Sequence, residues 1–175
     1  MRELIKQTII DAAKTAGLEI PEGEESKYVM DEPAIKDILL KKKRIDIEYL
    51  DETMERSFKR ISKGVSDTNP DYIRIRNRKY KREMLVRATI QSDDEAWLAQ
   101  FTKSFLLSLP HKIADEENNL VKIEANKAVR SGFTTKMVEV FKKRSNALHI
   151  KFKGMLCEDL EYPAITDINI TTNAG

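Results

Sequence analysis

From Ile73 to Ala88, the stretch "IRIRNRKYKREMLVRA" holds seven Lys or Arg and one acid in sixteen positions. Six of its cations, Arg74, Arg76, Arg78, Lys79, Lys81 and Arg82, lie within nine residues. Such a cluster suits anions: the phosphates of a nucleic acid, or carboxylates on another protein surface. A single-strand binder would interleave aromatic rings with the cations, and here only Tyr72 and Tyr80 accompany them. A duplex reader would present a helix, for which Pro70 and Asn77 are poor material. A solvated loop or hairpin accounts for the same composition. The acids Glu22, Glu24, Glu25, Asp31 and Glu32 could face this segment from a neighbouring subunit. Because the segment is too polar to join a core, its counter-charge is expected from solvent, another chain or DNA.

Catalytic constellations are scarce. The glycines at 17, 23, 64, 132, 154 and 175 cannot write a dinucleotide or phosphate-cradling loop. His111 follows Pro110 in a polar stretch and His149 falls on a lysine-bearing strand face, so neither is marked as a general base. Cys157, with Glu158, Asp159 and Glu161 after it, reads as part of an acidic turn, because no further metal ligands stand at a recognisable spacing. Asp93, Asp94 and Glu95 have sufficient reason to exist at the first turn of a helix. A divalent-metal nuclease would need an acid-x-Lys triplet after Pro70-Asp71, yet the only such triplet, Glu25-Ser26-Lys27, precedes it. The expectation is a protein with no enzymatic role, no cofactor and no metal.

Composition narrows the partners. Lys and Arg total 31 against 29 Asp and Glu, so the net charge of +2 exerts no global pull on nucleic acid or an anionic membrane. Any polyanion binding has to be local. The single cysteine cannot close an intrachain disulfide, which fits a reducing compartment. Lys6, Asp11 and Lys14 interrupt the N-terminal apolar stretch, and no run reaches the ~18 apolar residues of a membrane span. A soluble cytosolic protein, a single domain over 1–175 with a polar excursion at about 62–80, is expected.

The elements that must position these residues are legible from periodicity. Ile5, Ile9, Ala12, Ala13 and Ala16 mark one stripe of a helix over about 2–16, stopped by Gly17. Residues 18–32 read as an acidic loop with a short extended piece at 27–30. Ile45, Ile47 and Tyr49 alternate with Arg44, Asp46 and Glu48 as a half-buried strand. A second alternation, Met54, Arg56, Phe58 and Arg60, is either an antiparallel neighbour or a continuation past a bend. Met84, Val86, Ala88 and Ile90 form another strand, and "QSDDEAWLAQFTKSFLLSLP" then forms an amphipathic helix over about 93–109. Ser92 and Glu95 have capping-box spacing, and Trp97, Phe101 and Phe105 place the core at this helix. Strands are expected around 121–125, 137–141, 148–152 and 168–170. The order predicts an α+β fold, a mainly antiparallel sheet covered by the two helices.

An N-terminal helix, the strands "RIDIEYLDET" and "REMLVRATI", the helix "DDEAWLAQFTKSFLLSLP" and the closing "YPAITDINI" together resemble phage tail terminator and tail-completion proteins. The resemblance spans nearly the whole chain, and the chain departs from shorter members at 62–80 and 111–136. It implies a homo-oligomeric ring, commonly a hexamer, that caps the tail tube, stops its polymerisation and joins it to the head connector. No catalytic residue is implied, no membrane is involved, and the place of action would be the cytoplasm of a bacterial host and the virion tail. The competing reading is a small nucleic-acid-binding module using 74–82.

Overall fold

A computed structural model describes residues 1–31, 41–131 and 144–164, with the side chains of 126–131 left aside. The elements in chain order are α1 (Arg2–Thr15), α2 (Glu25–Tyr28), β1 (Val29–Met30), β2 (Arg44–Val65), β3 (Tyr72–Ser92), α3 (Glu95–Ser108), β4 (Lys112–Ala114), β5 (Leu120–Ser131) and β6 (Arg144–Pro163). The fold is mixed α/β, with one six-stranded sheet in the order β1-β2-β3-β6-β5-β4. β1 runs parallel to β2, whereas β4 with β5 and β5 with β6 are antiparallel. The strands expected at 137–141 and 168–170 lie outside the described residues.

The chain divides into two compact units. The first comprises Met1–Met54 and Arg82–Gly154, and the second Glu55–Lys81 and Met155–Gly175. All the buried apolar side chains identified belong to the first unit, and all but Ala147 gather in one cluster. α1 contributes Ile5, Ile9 and Ala13; the strands contribute Ile45, Met84, Val86, Ile90, Val121, Ile150 and Phe152; α3 contributes Leu98, Phe101 and Phe105. The sequence patterns explain these contributions, since a period near four buries one helix stripe and a period of two buries one strand face.

Local chemistry sets the helix ends. Gly17 takes φ +98, a left-handed conformation that suits glycine. That turn lets the Leu18 and Gly17 amides donate to the Ala13 and Lys14 carbonyls at 2.9 and 3.1 Å, closing the end of α1. At α3 the cap differs from the expected Ser92 with Glu95. Asp94 is the N-cap and accepts from the Trp97 amide at 3.0 Å. Ser92 still belongs to β3, and its hydroxyl accepts from the Asp94 amide at 3.0 Å as the chain leaves the strand. Phe101 and Phe105 are buried as expected, but Trp97 is only half-buried, stacked on Phe101 at 4.5 Å with the Lys43 ammonium 4.7 Å from its ring centre.

The second unit contains parts of three strands. β2 and β3 form a hairpin turned by residues 66–71 and closed by the Ser66 amide donating to Tyr72 at 2.8 Å. The second alternation is thus a continuation of β2 through Val65, and most of the 62–80 excursion is paired strand. The Cys157–Glu161 stretch, expected as a turn, lies within β6. Its alternation there sends Asp159 and Glu161 to one face and Glu158, Leu160 and Tyr162 to the other. Among the described residues of this unit no apolar side chain is buried, and the one buried residue is Ser66.

Candidate functional site

The cations of the opening segment sit on β3 and meet partners of their own chain. Arg74 donates through Nε to Asp159 at 3.1 Å and through a terminal nitrogen to Asp67 at 2.8 Å. These acids, Asp159 foremost, raise the Arg74 pKa and hold the guanidinium charged. Arg76 lies 3.7 Å from Asp159, Arg78 donates to the Ser57 hydroxyl at 3.1 Å, and Lys81 meets Glu55 at 3.0 Å. Lys79 pairs with Glu158, and in the first unit Arg82 pairs with Glu52. The expected external counter-charge is therefore corrected: strands β2 and β6 supply acids and a hydroxyl at pairing distance. Three of the five acids thought to complement the segment are used elsewhere. Glu24 meets Lys27 and Lys41, Glu25 meets Lys14, and Asp31 meets Lys6, while Glu32 lies outside the described residues.

On the adjoining strand the balance reverses. Arg56, Lys59, Arg60 and Lys63 on β2 are exposed. Among the described residues no acid pairs with Lys59, Arg60 or Lys63. Between them Phe58 is 67% exposed, with the Arg56 guanidinium 4.8 Å and the Lys79 ammonium 5.6 Å from its ring centre. A concavity of about 450 Å³ is lined by Phe58, Lys59, Arg60, Asn77 and Lys79. A second, of about 240 Å³, lies further along the strand at Lys63, Val65, Arg74 and Arg76. Sequence reasoning missed this group because Met54, Arg56, Phe58 and Arg60 read only as a strand face. The signal available was the excess of cations over acids in "MERSFKRISK".

β2 also has an open edge here. β1 pairs with it only at Val29↔Ile45 and Met30↔Asp46, so among the described residues 55–65 has β3 on one side and no strand on the other. Ile61 and Val65, on the strand face opposite Phe58 by alternation, are exposed as well, as is Tyr162 on β6.

The other candidates have structural occupations. Asp93 pairs with Lys42 at 2.9 Å, Asp94 caps α3, and Glu95 pairs with Arg144. Asp71 is exposed in the hairpin turn, where its amide donates to Asn69 Oδ1 at 3.0 Å and its carbonyl accepts from the Ala164 amide at 2.7 Å. His111 is exposed, and its carbonyl accepts from the Ile123 amide at 2.9 Å; His149 and Cys157 are half-buried. Among the described residues no three His, Cys, Asp or Glu side chains gather to hold a metal, and no helix is long and apolar enough to cross a membrane. In comparisons with known proteins, no protein-family model matches the chain and no curated protein does either.

Proposed function

We propose that the protein is a structural subunit acting through self-association, of the tail-terminator type: a ring that caps a phage or prophage tail tube and meets the head connector. The observation that carries this reading is the second unit, whose described residues bury no apolar side chain while Ile61, Val65 and Tyr162 are exposed. Three strands without an apolar face packed against something are marginal in water, so a partner copy would supply the missing burial. In this reading α1 and α3 cover one face of the sheet in the first unit. Their buried side chains join those of the strands in one cluster, which supports the arrangement. No reaction is assigned to the chain.

The alternative, a nucleic-acid module built on 74–82, loses support because those cations are engaged within the chain. Light scattering after gel filtration, at about 0.05 and 0.5 M salt, distinguishes an apolar interface from a charge-held one. The expected result is one defined oligomer mass at both salts, with ring particles by electron microscopy, and a monomer for the double variant Ile61→Asp/Val65→Asp. A monomeric wild-type chain at micromolar concentration would refute the self-association reading.

A further inference from the structure

We infer that the β2 strip from Arg56 to Lys63, with Asn77 and Lys79 of β3 beside Phe58, is a binding site for single-stranded nucleic acid. The first ground is charge. The described residues of the second unit carry nine cationic side chains against six acidic ones. The cations of β3 in that unit have partners in the chain, whereas Lys59, Arg60 and Lys63 lack an acid partner among the described residues. The surplus is thus concentrated on one strand and one edge.

The second ground is the ring in the middle of it. By strand alternation Arg56, Phe58 and Arg60 share a face, so an exposed aromatic stands between two guanidinium groups; Lys59 also lines the Phe58 concavity, while Lys63 stands with Ile61 and Val65 on the other face. A nucleobase can add to the Phe58 and Arg56 stack while neighbouring cations meet the phosphates on either side, which is how sequence-tolerant single-strand sites are built. Asn77, which lines the 450 Å³ concavity with Phe58, adds an amide that can both donate to and accept from a base edge. Arg56 to Lys63 spans about 23 Å at the rise of a strand, room for a site of about four nucleotides. An acidic peptide would use the cations but has no need of the ring. A duplex keeps its bases stacked inside, away from Phe58.

The test is fluorescence anisotropy with a labelled twelve-nucleotide oligothymidine and the full chain. The same measurement is made with a duplex of equal length and with a labelled oligoglutamate peptide. Four phosphate contacts predict a roughly 50-fold loss of single-strand affinity between 50 and 200 mM salt. Phe58→Ala should weaken binding by roughly ten- to hundredfold at fixed salt. The triple variant Lys59→Glu/Arg60→Glu/Lys63→Glu should abolish it, whereas Lys103→Glu/Lys112→Glu, which removes exposed charge in the first unit, should change it less than threefold. A circular dichroism spectrum matching the wild type establishes that each variant is folded. Should the triple variant misfold, Arg60→Gln alone, expected to cost several-fold, carries the test. The inference is overturned by no binding at 50 mM salt, by equal affinity for duplex or oligoglutamate, by an unchanged Phe58→Ala, or by an equal loss in the Lys103/Lys112 control.

Discussion

Truncating one phenylalanine in each unit tests the division between a packed unit and one whose described residues bury no apolar side chain. Phe105 on α3 is fully buried, its ring 6.1 Å from Phe101, which in turn stacks on Trp97. Phe105→Ala removes the transfer energy of a whole buried ring, leaves a cavity and ends one aromatic pair, a loss of about 3–5 kcal/mol. Phe58→Ala deletes the same atoms from a side chain that is 67% exposed, so only a minor part of that transfer term applies and the loss should stay below about 1 kcal/mol. Urea unfolding followed by the fluorescence of Trp97, the only tryptophan, reads the first unit directly. With a slope of about 2 kcal/mol/M, Phe105→Ala moves the midpoint down by roughly 1.5–2.5 M and Phe58→Ala by less than about 0.5 M. A Phe105 shift under about 0.5 M, or a Phe58 shift as large as that of Phe105, would refute the assignment of the core to the first unit.

Asp94→Ala removes the acceptor of the Trp97 amide and should lower stability by about 1 kcal/mol, while Ser92→Ala, which holds only the entry turn, costs less; urea midpoints rank the two. Glu124 has its pKa lowered to about 2 by hydrogen bonds from Lys122 and then Lys153. A depressed carboxylate stabilises the fold above its unfolded value of 4.5, and that contribution is lost as pH falls from there toward about 2. Carboxyl-resolved NMR should find the low midpoint and see Lys122→Ala move it upward; a wild-type midpoint near 4.5 contradicts the pairing. Tyr49, raised to about 12 chiefly by burial and then by the charges of Asp31 and Glu3, should give a phenol step near 12 in an ultraviolet pH titration, a step absent from Tyr49→Phe. Its folded value lies above its unfolded one, so this contribution is complete below about pH 10 and is lost as pH rises toward 12.

The first unit was largely legible because each of its elements writes its own burial into a short window. The stripe Ile5, Ile9, Ala13 and the alternation Met84, Val86, Ala88, Ile90 state which face is inside without reference to any distant residue. The second unit has no such imprint. Arg74 and Asp159 are 85 residues apart, and nothing local to either indicates that β3 and β6 bring them together. With no apolar side chain buried among the described residues there, alternation cannot say whether β2 ends at residue 50 or continues to Val65. The same gap hid the β2 strip: charge density pointed to β3, whereas the cations left over are decided by register, which the sequence does not print.

Among the described residues the 55–65 edge of β2 is open, which bears on how the protein can be handled and modified. An uncovered strand is a template on which further copies can stack their backbones without limit, and lysines along the edge are a common guard against it. Lys59 and Lys63 stand along 55–65 beside Phe58, Ile61 and Val65, which have high strand propensity. Acetylation of those two lysines would leave "SFKRISKGV" close to the composition of an aggregating segment. Loss of material by precipitation should then track the chemical state of two ammonium groups on an edge, with the packed core of the first unit still intact.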